Sequence, residues 1–323
     1  EPIMKHKSSN PAVAPSGKTT ILGVNQSRKA IERTATIIFF VCGIVAILAV
    51  AAITIYLIAS GAPALGKVGI LDILFGTVWS PTADDPSFGI AYLILASIFG
   101  TALAICIGVP IGLLAAVFLA EIANTKVANI VRPCVELLAG IPSVVYGLLG
   151  AIILCPLMYD IEAAIFANDP DHQMTGGKNL ISAILVLAIM ILPTVINVSE
   201  SSLRAVPQNY RASSLALGAS KIQTIFKVTI PAAKSGILTG VVLGIGRALG
   251  EAMAVVMVCG NVANVPFPFN SVRFLTTGIV SEMSYSSGLH REVLFTIGLV
   301  LFVFIMIINV LVNVVLKKGV EKE

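Results

Sequence analysis

The chain has 323 residues, of which 57% are hydrophobic and only 12% charged, with a formal net charge of +4. A soluble domain of this length carries about twice that charged fraction. The composition therefore excludes an ordinary soluble protein and points to an all-α integral membrane protein, because long unbroken apolar runs call for helices and not for the alternating strands of a barrel.

Residues 1–33 form a polar tail carrying Lys5, Lys7, Lys18, Arg28, Lys29 and Arg33, expected to be disordered or loosely held at a membrane surface. A transmembrane domain is expected over 34–316, with six spans near 34–60, 89–120, 130–158, 180–198, 236–260 and 293–316, then a short tail at 317–323. The first apolar run is too long for a signal-peptide core and too far from the start, so it reads as a retained anchor. Pro110, Pro133, Pro142 and Pro156 interrupt the second and third runs, which predicts kinks or a re-entrant or interfacial piece.

Sixteen of the 21 Lys and Arg residues fall in the two tails and in the second and fourth loops. The positive-inside rule then places both termini in the cytoplasm, as an even number of spans requires. The opposite loops carry Asp84, Asp85, Asp160, Glu162, Asp169 and Asp171. The net charge thus reports orientation in the lipid bilayer and argues no nucleic-acid binding. The five cysteines form no C-x-x-C pair and read as small apolar packing residues, so neither a disulfide framework nor a metal site is indicated. His6, His172 and His290 read as loop residues without a ligand cluster.

In the third span, Gly140 and Pro142 can form a flexible point and Tyr146 can offer a hydroxyl to a path, although glycine and proline are frequent in transmembrane helices anyway. Arg132 and Glu136 are spaced as an i,i+4 surface pair.

The cytoplasmic loop 199–235 reads as two short helices joined at Gly218. The second, from Ser220 to Val228, spaces Ile222, Ile225 and Phe226 on one face, and Pro231 is expected to stop it. The loop is either a compact knob for a partner or an interfacial helix on the head groups.

The fifth span holds Gly236, Gly240 and Gly244 at four-residue spacing, then Arg247 and Glu251. A charge at the bilayer centre costs about 2.5–3.5 kcal/mol, so the pair must face protein or a wet cavity. At helical spacing Arg247 and Glu251 share one face, close to the glycines that let another helix approach. Two readings are open: a structural ion pair between packed helices, or a site in the path of a polar solute.

Tyr210-Arg211-Ala212 followed by Leu215-Ala-Leu-Gly218 and, later, Ile230-Pro231 resembles the "EAA" loop of ABC-importer permeases. Ala212 stands where the motif has glutamate. Glu136-Leu-Leu-Ala-Gly140-Ile-Pro142-Ser-Val-Val-Tyr146-Gly and Gly246-Arg247-Ala-Leu-Gly250-Glu251-Ala-Met-Ala resemble segments of phosphate-import permeases, and together with 287–290 they resemble the C-type permease of the phosphate-specific transport (Pst) system.

The resemblance implies six transmembrane helices of the type I ABC-importer permease kind, in a prokaryotic inner membrane. It implies inorganic phosphate as solute, with Arg247 and Glu251 in the path and Tyr210, Arg211, Ala212, Gly218, Ile230 and Pro231 in the ATPase-coupling loop. The implied partners are an A-type permease, a homodimeric ATPase and an extracytoplasmic phosphate-binding protein. No G-x-x-x-x-G-K-[ST] loop occurs, so ATP and Mg belong to the ATPase partner and no cofactor is expected in this chain. Arg247 presents a fork matched to phosphate oxygens. Glu251 can neutralise Arg247 in the empty site and accept the P–OH proton that sulfate lacks. A permease for molybdate or sulfate, and a secondary anion transporter, are the competing readings; no catalytic motif such as H-E-x-x-H or G-x-S-x-G supports an enzyme.

Overall fold

The computed structural model describes residues 26–170 and 172–320. The expected tail over 1–33 lies mostly outside them, as do Asp171 and His6. The chain divides into two units, 1–54 and 55–323. In the first, the described residues belong to helix α1 (Gln26–Val68), whose side chains Ile37, Phe39, Phe40, Ile47 and Leu48 are all exposed. A helix apolar all round, with mean hydropathy 3.0 over its candidate span, suits lipid.

The second unit begins with the rest of α1. Gly61 lets α1 approach the last helix: its carbonyl accepts from Thr296 Oγ1 at 2.8 Å, and Lys67 pairs with Glu292 at 2.7 Å. Then come α2 (Ile70–Phe75) and a short antiparallel hairpin of β1 (Trp79–Ser80) and β2 (Ser87–Phe88). Helix α3 (Ala91–Val117) continues into a π-helical turn, Phe118–Ile122. Next are α4 (Thr125–Gly140), α5 (Ser143–Leu149), a π turn over Gly150–Leu154 and α6 (Cys155–Ile165). Helix α7 (Leu180–Ala205) is the hub. Its Ala183, Leu187, Met190, Ile191 and Val195 are buried. The chain continues with α8 (Gln208–Ala216), α9 (Lys221–Thr224), a π turn over Ile225–Thr229 and α10 (Ile230–Ala232). It ends with α11 (Lys234–Gly250), α12 (Met253–Val258), α13 (Leu275–Glu282) and α14 (Gly288–Val320).

Small residues set the core. A β-carbon on Gly108 of α3 would lie 2.6 Å from Ile191, and one on Gly112 would lie 2.9 Å from Val195. Both contacts are with side chains of α7, which fill the space over the two glycines and let the helices approach closely.

Among the described residues five helices are long and apolar enough to cross a membrane, and six if the bent pair Lys221–Ala232 and Lys234–Gly250 counts as one span. The expected spans are corrected at four places, one being the fourth, 180–198, which runs on to Ala205 inside the expected loop. The third, 130–158, is broken: α4 stops at Gly140, and Ile141 and Pro142 are extended. Proline drives the residue before it out of the helical region, so the chain leaves the helix there and restarts at Ser143. The fifth, 236–260, ends at Gly250, and Glu251 is extended at φ −74°, ψ 128°. The last helix runs past Leu316 to Val320, into the expected tail at 317–323. By contrast, Pro110 and Pro133 sit inside continuous helices.

Pro231 does not stop the loop's second helix. Ile230 N–H donates to the Ile225 carbonyl, five residues back, and Pro231 occupies the first turn of α10. The π register widens the turn by one residue, which relieves the clash a proline ring makes in an α-helix. The helix then bends by 70° at Ala233 before α11.

Candidate functional site

Two broken helices meet. A β-carbon on Gly147 of α5 would lie 2.8 Å from the Ala254 α-carbon of α12, so the half-helices following the two breaks pack backbone to backbone. Tyr146, Ala248, Ala254, Val255 and Val258 form one buried cluster beside them. This brings Gly140, Pro142 and Tyr146 into the neighbourhood of Arg247 and Glu251. The two groups of candidates are more than a hundred residues apart in sequence.

The pair itself is corrected. Because α11 ends at Gly250, Arg247 and Glu251 do not share a helix face, and among the described residues they form no ion pair. Glu251 Oε1 instead accepts from Ala254 N–H at 3.0 Å, and the Glu251 carbonyl accepts from Thr276 Oγ1 at 2.8 Å. Its carboxylate thereby satisfies a donor at the start of α12 that no helical carbonyl reaches. Arg247 is half-buried, and among the described residues its guanidinium has neither a hydrogen bond nor an ion pair. It lies within electrostatic reach of Tyr146.

The glycine seam faces inward. Gly236 meets Ser202, Gly240 lies against Val198, and Gly244 lies against Val195, all on α7. The seam is packed shut within this chain and does not line a passage. A second pair of glycines, Gly246 and Gly250, has open space over the α-carbons, as does Gly140. Pro142 is exposed. The open face beside Arg247 is therefore made of Gly246 and Gly250.

Tyr146 is buried, and its hydroxyl donates to the Leu138 carbonyl at 2.7 Å. Leu138 lies in the last turn of α4, where carbonyls lack helical partners. The Tyr146 proton thus braces the break at Ile141–Pro142, and the phenol oxygen keeps only acceptor capacity for any other role.

The loop matches its expected outline. Gly218 caps α8 at φ 87°, a left-handed conformation glycine adopts without steric cost, and its N–H donates to the Leu215 carbonyl at 3.0 Å. Ser220 and Gln223 form a reciprocal capping box that starts α9. Tyr210, Leu215, Leu217, Ile222 and Phe226 are all exposed, Leu217 by 90%. Ala212 and Pro231 are exposed and Ile230 is half-buried. Arg211 is turned inward: its Nη2 pairs with Glu121 Oε1 at 2.6 Å.

Sequence reasoning missed several charged clusters. Arg132 pairs with Glu200 at 2.6 Å and not with Glu136, and Arg204 joins the same carboxylate at 2.9 Å. Glu162 is fully buried and accepts from His172 at 2.9 Å and from the Thr175 hydroxyl at 2.7 Å. Glu282 gathers Trp79, Arg273 and His290, with His290 Nε2 at 2.8 Å. His172 and His290 are thus partners of buried acids and not bare loop residues. The one local signal was a lone acid next to an apolar run. No group of three or more candidate metal ligands occurs among the described residues.

Residues 108–319 match the family described as a binding-protein-dependent transport system inner membrane component. A probable ABC transporter permease protein, YqgH of Bacillus subtilis (strain 168), is 36% identical over 300 residues, 90% of this chain and 94% of the relative. The phosphate transport system permease protein PstC of Pasteurella multocida (strain Pm70) is 33% identical over 255 residues, 76% of this chain and 79% of the relative. PstC 1 of Mycobacterium tuberculosis (strain ATCC 25618 / H37Rv) is 37% identical over 239 residues, 69% and 70%. An inward-facing crystal structure of the MetNI methionine ABC transporter matches with a TM-score of 0.51 at 19% identity, covering 72% of this chain and 94% of that one, which bears on the fold alone.

Proposed function

This chain belongs to the family of binding-protein-dependent transport inner membrane components, and from that premise we infer that it is the C-type permease subunit of an ATP-driven phosphate importer. It is a transport permease and not an enzyme. It works with a second, A-type permease, a homodimeric ATPase that binds ATP and Mg, and an extracytoplasmic phosphate-binding protein. Both termini lie in the cytoplasm of a multi-pass inner-membrane protein. The exposed apolar crown of Tyr210, Leu215, Leu217, Ile222 and Phe226 suits docking on the ATPase.

The observation that carries the reading is the guanidinium of Arg247, uncommitted among the described residues, beside two helix breaks and the open Gly246–Gly250 face. A cation with no protein partner in a span is costly to keep, and intramembrane charge marks solute paths. A forked, permanently charged donor set fits phosphate oxygens. Glu251 is held by Ala254 N–H through one oxygen, which leaves the other to accept from a protonated phosphate. Sulfate at neutral pH offers no such proton and meets only repulsion. A weak site suffices, because the binding protein supplies affinity.

The test is phosphate uptake by the complete importer in proteoliposomes. ATP-dependent phosphate uptake that sulfate and molybdate do not displace supports the reading. Preferential uptake of one of those anions, or uptake that persists without ATP on an ion gradient, refutes it.

A further inference from the structure

Helix α8, the leading element of the exposed loop, contains no buried residue. Its Tyr210 borders an open cleft of about 710 Å³ that Ser202, Val206, Pro207 and Pro231 also line. Apolar packing therefore fixes α8 poorly to the membrane-spanning helices. Ser214 bonds Thr224 at 2.9 Å, but that contact stays within the loop.

Val206 and Pro207 join α8 directly to α7, and among the described residues the side chain that ties it to α3 is Arg211. Arg211 Nε donates to Glu121 Oε1 at 3.1 Å, and Nη2 donates to the same oxygen at 2.6 Å. Nη1 donates to the Val206 carbonyl at 2.6 Å, and Nη2 also donates to the Leu203 carbonyl at 2.8 Å. Those carbonyls close α7, where helical partners run out. Glu121 sits in the π turn that ends α3, and the two side chains are only 14% and 8% exposed. The guanidinium fork thus holds α8 to the ends of both α3 and α7 in one geometry.

The network continues. Arg204 Nη2 donates to the Leu119 carbonyl in the same π turn at 3.0 Å, and Arg204 shares Glu200 with Arg132 of α4. Helix α4 ends at Gly140, next to the break that meets the Arg247 region.

We propose that Glu121 and Arg211 form the mechanical link of the importer: loop displacement by the ATPase reaches α3 and α7 through this pair, and reaches α4 through Arg204, Glu200 and Arg132. Arg211 belongs to the loop's docking motif yet holds the permease to itself. An apolar contact would slip under load, whereas a forked, charge-assisted pair resists displacement in several directions. Glu121 is on this account a positioning residue for coupling. The proposal rests on the reading of the loop as the ATPase dock.

The experiment uses the assembled importer with its binding protein in proteoliposomes, comparing wild type with Glu121→Gln and Glu121→Asp. Glu121→Gln keeps the shape and removes the charge. The expected result is normal co-purification of the ATPase with about a tenfold fall in phosphate moved per ATP hydrolysed, as loss of a charge-assisted bond implies. Glu121→Asp restores a large part of that ratio, because the charge returns. An unchanged ratio in Glu121→Gln overturns the proposal. Loss of assembled complex with a normal ratio in what remains also overturns it, since the pair is then only a brace. A wild type that hydrolyses ATP without moving phosphate refutes the substrate reading and not the link. The link is then read from whether Glu121→Gln loses the binding protein's stimulation of hydrolysis; retained stimulation overturns it.

Discussion

Arg247→Ala separates a guanidinium that handles solute from one that holds helices together. If Arg247 meets phosphate through two charge-assisted hydrogen bonds, each is worth roughly 1.5–3 kcal/mol. The side chain is half-buried, so the lower figure applies to each bond. The loss is then about 3 kcal/mol, or roughly a hundredfold in uptake rate at low phosphate, since 1.4 kcal/mol is tenfold. Arg247→Lys keeps the charge but loses the fork, which predicts a loss of about tenfold. Stability should move the other way. Arg247 has no bond to break among the described residues, and a charge in a span costs up to about 2.5–3.5 kcal/mol to insert. The assay is the initial rate of labelled phosphate uptake into proteoliposomes, with thermal melting of the purified importer alongside. Uptake at the normal rate would refute the argument. A loss of uptake that tracks a lowered melting temperature would make Arg247 a structural residue instead.

Glu251→Gln keeps the Ala254 N–H bond through its amide oxygen but removes the anion. The expected outcome is a collapse of phosphate preference over sulfate in competition assays, and unchanged selectivity removes the proposed role. Gly147→Val drives a branched side chain into the Ala254 backbone, which cannot yield as the neighbouring Met257 side chain can. Overpacking of that kind costs about 1–3 kcal/mol and should lower both the melting temperature and uptake. Leu217→Asp, at a position 90% exposed, should leave the permease's stability within about 0.5 kcal/mol while abolishing ATPase co-purification.

Much of the bundle was legible because hydropathy alone locates spans, and Pro142 announces its own break. The Gly250–Glu251 break was not legible, because no proline marks it. The helical wheel that joined Arg247 to Glu251 assumed an unbroken helix, yet Gly246 and Gly250 weaken one and an acid that caps a new turn competes with it. The buried charge networks were invisible for a different reason. Arg132 finds Glu200 68 residues away, Arg211 finds Glu121 90 away, and Trp79 finds Glu282 203 away. A local i,i+4 rule therefore offered Glu136 to Arg132 and was overruled by burial. The loop's outline was legible because capping and left-handed glycine act within four residues; the inward turn of Arg211 was not, because its partner lies on α3.

The way charge is satisfied sets Arg247 apart from the buried acids of this molecule. Glu162 and Glu282 each hold hydrogen-bonding or cationic partners, and Glu121 and Glu200 each hold arginine. Burying those acids is tolerable because each is paired, and removing one partner would strand the other. Arg247 follows the opposite rule: among the described residues its donors are uncommitted, next to two helix breaks. A donor already bonded to protein must give up that bond before it can take an anion, whereas a free one gives up only water. The glycines divide in the same way. Gly236, Gly240 and Gly244 use their missing side chains to seal α11 onto α7, while Gly246 and Gly250 leave theirs as open space beside Arg247. Filling that space tests the distinction directly. A β-carbon at Gly246 meets no atom of another element within 4 Å among the described residues, so Gly246→Leu should leave folding intact and block uptake. Normal uptake in Gly246→Leu would move the path to another face of α11.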